Sequence, residues 1–351
     1  MTRFDKTGER LGAVGFLCAL SVVLIHCQSM RMWFSGDEAD FGVNGIIDGC
    51  FDAAIRFSLS CTFVRIAVPF FFVVSGFFLA RSEKCWTENV RKRLLTLYLP
   101  FVFWNAVNLV LNMIAGRLPD AEFNVVMQKI FGWNPVVRLG CMQFWYIQAV
   151  FVFLLLWPVT KMFFKRKLLT VLLVLVLFAG WLDLYKYYSG QALQAGNYLW
   201  MCCGAIYATN NWSCVSIDFH RRLPTRIIIT LIFVASIALK VTMGVLKDEF
   251  WFEVADRILI LSGLATIFLN LHVFDRVALR CKSLVGLSFF VFAFHTIAIT
   301  LAIQIGNRIG IHGLPLYLFK ICFAVIFTIC IGLAARKFFP RLFSLVTGGR
   351  C

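Results

Sequence analysis

Apolar residues fall in runs of about twenty, separated by short polar connections, and a membrane-spanning helix needs roughly 20 such residues. The first five runs cover approximately Leu11–Ser29, Cys61–Ala80, Leu94–Ile114, Met142–Phe164 and Leu168–Tyr185. Five more follow at about Ala192–Tyr207, Arg226–Met243, Ile258–Phe274, Leu284–Ile305 and Leu316–Ala335. The sixth is the weakest, diluted by Gly196, Asn197 and Gly204. The pattern predicts an all-α polytopic membrane protein with about ten transmembrane helices. No internal repeat, low-complexity tract or linker divides it, so residues 1–351 read as a single membrane domain with spans over about 11–335.

Composition agrees with the pattern. Of 351 residues, 60% are hydrophobic and 15% charged, against about 45–50% and about 25% in soluble domains. The net charge of +16 raises nucleic acid as a partner until the charges are located. Basic residues cluster in alternate connections: Arg81, Lys84 and Arg91–Arg93; Lys161 and Lys165–Lys167; Arg221, Arg222 and Arg226; Arg276, Arg280 and Lys282; Arg336, Lys337, Arg341 and Arg350. With Arg3, Lys6 and Arg10, these segments hold 22 of the 34 basic residues and six of the 18 acids, which is the whole surplus. One-sided positive charge is what cytoplasmic loops carry. Both termini are therefore expected in the cytoplasm, and no nucleic acid is needed.

The 13 cysteines include no C-x-x-C pair and sit mostly in apolar runs, where Cys acts as a small hydrophobe. A bridge between Cys50 and Cys141, both expected outside, is one open pairing. The N-terminal apolar stretch lacks a small-residue cleavage site and contains His26, so it reads as the first span rather than a signal peptide. The connection Met30–Ser60 carries Asp37, Glu38, Asp40, Asp48 and Asp52, an acidic segment expected outside that reads either as a solvated loop or as a substrate-facing site, the former favoured. Asn211-Trp212-Ser213 matches a glycosylation sequon but falls in an expected cytoplasmic loop.

Polar residues inside spans are costly and are candidates for function. At about 1.5 Å of rise per residue, His26 lies roughly one turn below the outer end of the first span. Arg65 enters the second span at a similar depth. Asn105 sits near the middle of the third, Trp145 and Gln148 in the outer part of the fourth, and His295 in the outer half of the ninth. A polar cavity opening outward would satisfy them together. His26 is the candidate for chemistry, because imidazole can take a proton from a hydroxyl and return it to a leaving group. A structurally bonded His remains the alternative. Arg65 needs an anionic or carbonyl partner, in the protein or in a substrate. Walker A, G-x-S-x-G, H-E-x-x-H and Cys/His metal patterns are all missing, so no metal site is expected.

Five segments, in order, resemble the integral-membrane acyltransferase family 3. RLGAVGFLCALSVVLIHCQ (Arg10–Gln28) is similar to its first helix, ending in an apolar run and His. RIAVPFFFVVSGFFLARS (Arg65–Ser82) resembles its second-helix pattern, and RKRLLTLYLPFVFWN (Arg91–Asn105) its basic loop and aromatic third helix. QFWYIQAVFVFLL (Gln143–Leu155) and LSFFVFAFHTIAI (Leu287–Ile299) match two later aromatic segments. The resemblance implies transfer of an acyl group, often acetyl, from cytoplasmic acyl-CoA to a hydroxyl of a surface polysaccharide or its lipid-linked precursor. It implies His26 as the catalytic residue, either general base or transient acyl carrier; charge and position then assign Arg65, Arg91, Lys92 and Arg93 to the donor, and Asn105, Trp145, Gln148 and His295 to the acceptor or acyl cavity. No cofactor is expected to be bound; acyl-CoA is a co-substrate, the bilayer is the surroundings, and a bacterial plasma membrane is the expected location.

The chain departs from the family pattern at three cations. Gly15 stands eleven residues before His26, where a cation is usual, with Arg10 five residues further off. Thr96 replaces the second Arg of a two-Arg spacing begun at Arg93, and Gln148 replaces a later Arg. Two other readings stay open: a transporter or flippase of a glycan precursor, and an acyltransferase fold acting as a sensor without the reaction.

Overall fold

The computed structural model describes residues 3–28, 51–114, 122–133, 140–182, 193–209, 223–246 and 248–349. The acidic segment Asp37–Asp48, Cys50 and the sequon at Asn211 lie outside them. Every described element is a helix. They are α1 (Arg3–His26), α2 (Phe51–Cys61), α3 (Ala67–Ala80), α4 (Trp86–Arg93), α5 (Leu99–Ile114), α6 (Phe123–Phe131), α7 (Trp145–Phe164), α8 (Lys167–Leu182) and α9 (Ala195–Thr209). Then follow α10 (Leu223–Val245), α11 (Glu249–Leu269), α12 (Asp275–Arg280), α13 (Lys282–Val285), α14 (Ser288–Arg308), α15 (Gly313–Phe338) and α16 (Pro340–Thr347).

Helix occurs at each of the ten expected spans, but among the described residues seven continuous helical segments are long and apolar enough to cross a membrane. An eighth is counted if α11 and the stretch Leu271–Arg280, bent by 66° from it, form one broken span. At 16 and 15 residues, α8 and α9 fall short of spanning length in their described parts.

Three prolines shape the long helices. Proline has no N–H to give the carbonyl four residues back, and its ring crowds that carbonyl. Pro69 thus leaves Arg65 without its helical partner, and the chain between α2 and α3 tightens into a 3₁₀ turn at Phe63–Ile66. Pro100 does the same to Thr96, inside a π turn at Leu94–Tyr98 that joins α4 to α5. Pro158 lies within α7 and orphans the Leu154 carbonyl. The Trp86 indole N–H fills that gap, donating to Leu154 O at 2.9 Å.

The chain forms two compact units. The first comprises Met1–Phe70 and Cys214–Gly332, the second Phe71–Ser213 and Leu333–Cys351. In the first, α10 and α11 form a hairpin, α1 packs along α14, and the Phe63–Ile66 turn lies against both α1 and α11. Asp248 caps α11 by accepting from the Trp251 N–H at 3.0 Å, satisfying a helix-start donor. Phe57 and Phe252 meet with ring centroids 5.8 Å apart beside Gly244, where a Cβ would strike Phe57.

In the second unit α3 and α9 touch backbone to backbone. A Cβ at Gly76 would overlap the Met201 carbonyl, and one at Gly204 the Val73 carbonyl. Small residues permit such close helix crossings. The connection after α5 contains α6, which folds back on α5 and ends at Gly132 in the left-handed region, φ +62°. Trp104 Nε1 donates to Val346 O at 2.9 Å, pinning α16 to α5.

Candidate functional site

His26 closes α1, and its surroundings are built from other helices of the first unit. The last carbonyls of a helix lack internal partners. One of them, Leu24 O, accepts the Ser60 hydroxyl at 2.9 Å, and the Tyr317 hydroxyl completes the chain by donating to Ser60 Oγ at 2.7 Å. α2 and α15 are thereby fixed against the turn that carries His26. Lys320 lies within electrostatic reach of neighbouring Cys27.

His295, on α14, faces His26 with ring centroids 5.0 Å apart and planes tilted by 42°. Its Nδ1 lies 3.1 Å from Val291 O. A carbonyl only accepts, so Nδ1 carries the proton and Nε2 keeps a lone pair. His295 is wholly buried, yet among the described residues Nε2 has no hydrogen-bond partner. Gln28, two residues past His26, likewise has a buried Nε2 without a hydrogen-bond partner among the described residues. Buried polar atoms are nearly always bonded, and His295 Nε2, beside the His26 ring, is an acceptor unmet among the described residues.

A second cluster centres on Asp256. Lys240 Nζ donates to Asp256 Oδ1, Arg65 Nε lies 3.6 Å from the same oxygen, and Arg257 Nη1 lies 3.4 Å from Oδ2. Arg257 also pairs with Glu253 at 3.2 Å. Lys240 rests over the Phe252 ring, 4.7 Å from its centroid. Arg65 therefore has a carboxylate partner within the protein, while a third of its side chain, 33%, stays exposed. Sequence reasoning singled out neither Lys240 nor Asp256. The signal was there: a lysine inside the apolar run Arg226–Met243 demands an acid.

The other expected site residues lie in the second unit. Asn105 is wholly buried and engaged at both ends of its amide: its Oδ1 accepts the Cys141 N–H at 2.7 Å and its Nδ2 points to Ile130 O at 3.4 Å. Gln148 donates to Gly132 O at 2.9 Å, and Trp145 packs against Phe72 with centroids 5.8 Å apart. The Asn105 and Gln148 bonds hold the connection around α6. Cys141 is a free thiol donating to Trp104 O at 3.2 Å. Arg91 and Lys92 are exposed on α4, Arg93 is half-buried, and Thr96 donates to Lys92 O at 3.0 Å. Back in the first unit, Arg10 makes a two-pronged pair with Asp275, Nε to Oδ1 at 2.5 Å and Nη2 to Oδ2 at 2.8 Å. No group of His, Cys, Asp and Glu among the described residues is placed to hold a metal ion.

The acyltransferase domain model of family 3 matches residues 14–335, nearly the whole chain, and the chain belongs to this family of membrane acyltransferases. No curated protein and no solved structure matches it significantly.

Proposed function

We propose that the protein is an O-acyltransferase moving an acyl group, acetyl in the simplest case, from acyl-CoA to a hydroxyl of a cell-surface glycan or its lipid-linked precursor. The observation that carries this reading is the pairing of His26, at the end of its helix, with a buried His295 whose Nε2 lone pair is unmet. An imidazole beside an open acceptor suits a base that must accept a proton and release it again.

In the reaction His26 takes the proton of the acceptor hydroxyl as its oxygen attacks the thioester carbonyl. The resulting tetrahedral oxyanion collapses, the C–S bond breaks, and the imidazolium returns its proton to the departing thiolate, leaving ester and free coenzyme A. Once His26 is protonated, its second N–H has the open Nε2 of His295 beside it, and His295 shares the imidazolium charge. Arg91, Lys92 and Arg93 are assigned by their charge to the donor, while the charge of Arg65 is answered by Asp256. The acceptor role expected of Asn105 and Gln148 has less support, since their amides are taken up by backbone groups. Ten spans with cytoplasmic termini in a bacterial plasma membrane fit the one-sided basic charge.

Membrane vesicles holding the wild type, labelled acetyl-CoA and a surface-glycan fraction test this reading. Label in the glycan together with released coenzyme A supports it. If a glycan precursor crosses the membrane with no ester formed, the reading is wrong.

A further inference from the structure

A cavity of about 400 Å³ opens in the second unit between the start of α4 and the basic end of α7. Its wall carries Lys84, Lys161 and Lys165, with Trp86, Asn89 and Trp157, and no acid. Trp157 and Lys161 of α7 and its C-cap Lys165 recur every four residues and so share one face of the helix end. The cavity is built rather than incidental. Pro158 orphans Leu154 O, and Trp86 Nε1 takes it, so the indole is held at one edge while 40% of the residue stays exposed. Asn89 is buried and organises the strip beneath: its Nδ2 donates to Lys84 O at 3.0 Å and its Oδ1 accepts from Ser82 Oγ at 2.8 Å. Two acids neighbour the wall in sequence and neither lines the cavity: Glu83, between Ser82 and Lys84, is exposed, and Glu88 is turned to the Cys85 N–H at 3.2 Å.

Three ammonium groups around a fixed, half-open indole match a ligand with several phosphates and a flat ring. Lysine serves phosphate as a point charge, and exposed indole faces take stacked bases. The volume suits a nucleotide. We propose that this cavity binds the phosphorylated nucleotide head of acyl-CoA, its phosphates on Lys84, Lys161 and Lys165 and its adenine against Trp86. The assignment rests on the donor being an acyl-CoA. It adds a site apart from Arg91–Arg93, which do not line the cavity. An anionic lipid headgroup shares the phosphate chemistry but has no flat ring for Trp86.

The test uses the full chain in phosphatidylcholine nanodiscs, with and without phosphatidylglycerol. Labelled coenzyme A and adenosine 3′,5′-bisphosphate are the probes, and alkylation of Cys85, an exposed free thiol on the cavity wall, is the local readout. In neutral discs the bisphosphate should compete with coenzyme A and shield Cys85. The triple variant Lys84→Gln, Lys161→Gln, Lys165→Gln should weaken both effects at least about tenfold through lost charge-assisted contacts. The triple Lys→Arg variant should keep them, as should Lys129→Gln, a charge loss away from the cavity. Unchanged binding in the triple Gln variant overturns the proposal. So does Cys85 shielding by phosphatidylglycerol alone, which would make this a lipid site. Acetyl transfer measured on the same discs separates the two claims. Transfer with an unchanged KM in the triple Gln variant sinks the cavity and spares the enzyme. Bisphosphate held at Cys85 with no acyl transfer to any acceptor does the reverse.

Discussion

Lys240 donates to Asp256 with both side chains shut from solvent, at 0% and 2% exposure. Asp256 also answers Arg65 and Arg257, so one carboxylate balances cations from three separate segments of the first unit. Removing one partner of a buried pair leaves a charge that the apolar interior cannot solvate, at a cost of about 3–5 kcal/mol. Asp256→Leu should therefore lower the thermal midpoint of the detergent-solubilised protein more than Lys240→Met does, because Asp256 keeps two other cations in the latter. The double variant should be more stable than Asp256→Leu alone. A double variant at least as unstable would show that the pair is not coupled as described.

His295 tests the imidazole pairing. His295→Ala should reduce turnover by about a hundredfold, in the range of lost acid–base assistance, with the acceptor KM little changed. His295→Gln, which can offer an oxygen to the His26 N–H, should recover part of the loss. Rates per folded molecule are to be compared, with folding checked by size exclusion. Equal rates in His295→Ala and wild type would leave His295 as packing only.

Trp86, Pro158 and Leu154 form a thermodynamic cycle. Trp86→Phe strips the buried Leu154 carbonyl of its donor and should cost about 1–3 kcal/mol. Pro158→Ala returns a backbone N–H to that carbonyl, so the same Trp86→Phe change should cost less in its presence. Denaturation of the four proteins measures the coupling; strictly additive effects would contradict the assignment of the bond at 2.9 Å.

The crossing of α3 and α9 tolerates no side chain. Gly204→Leu or Gly76→Leu forces apart backbones that now touch. Each should cost at least the roughly 1–3 kcal/mol typical of overpacking. Yield of folded protein after mild heating gives the readout, and wild-type retention in both variants would contradict the close approach.

Much of the helical layout was legible because twenty-residue apolar runs have few other uses: Met142–Phe164 matches its expected bounds. The break before α3 was legible in principle from Pro69 but was hidden by the continuous hydrophobicity around it. Periodicity could not reveal α6, nine residues long in a connection between longer helices, where the carbonyls of Ile130 and of its cap Gly132 take the amides of Asn105 and Gln148. Those two residues stood out correctly as polar within spans, but polarity alone does not distinguish a substrate contact from a strut. His26 and His295 were visible separately. Their proximity depends on α1 packing along α14, a long-range pairing that no local pattern encodes.

The central claim is that His26 is the base for acyl transfer. Vesicles containing wild type or His26→Ala, matched for folded protein, should be given radiolabelled acetyl-CoA and a crude surface-glycan fraction. The account predicts labelled glycan and stoichiometric free coenzyme A from wild type, and a fall of about a thousandfold or more in the variant. Label transfer by His26→Ala at the wild-type rate would contradict it.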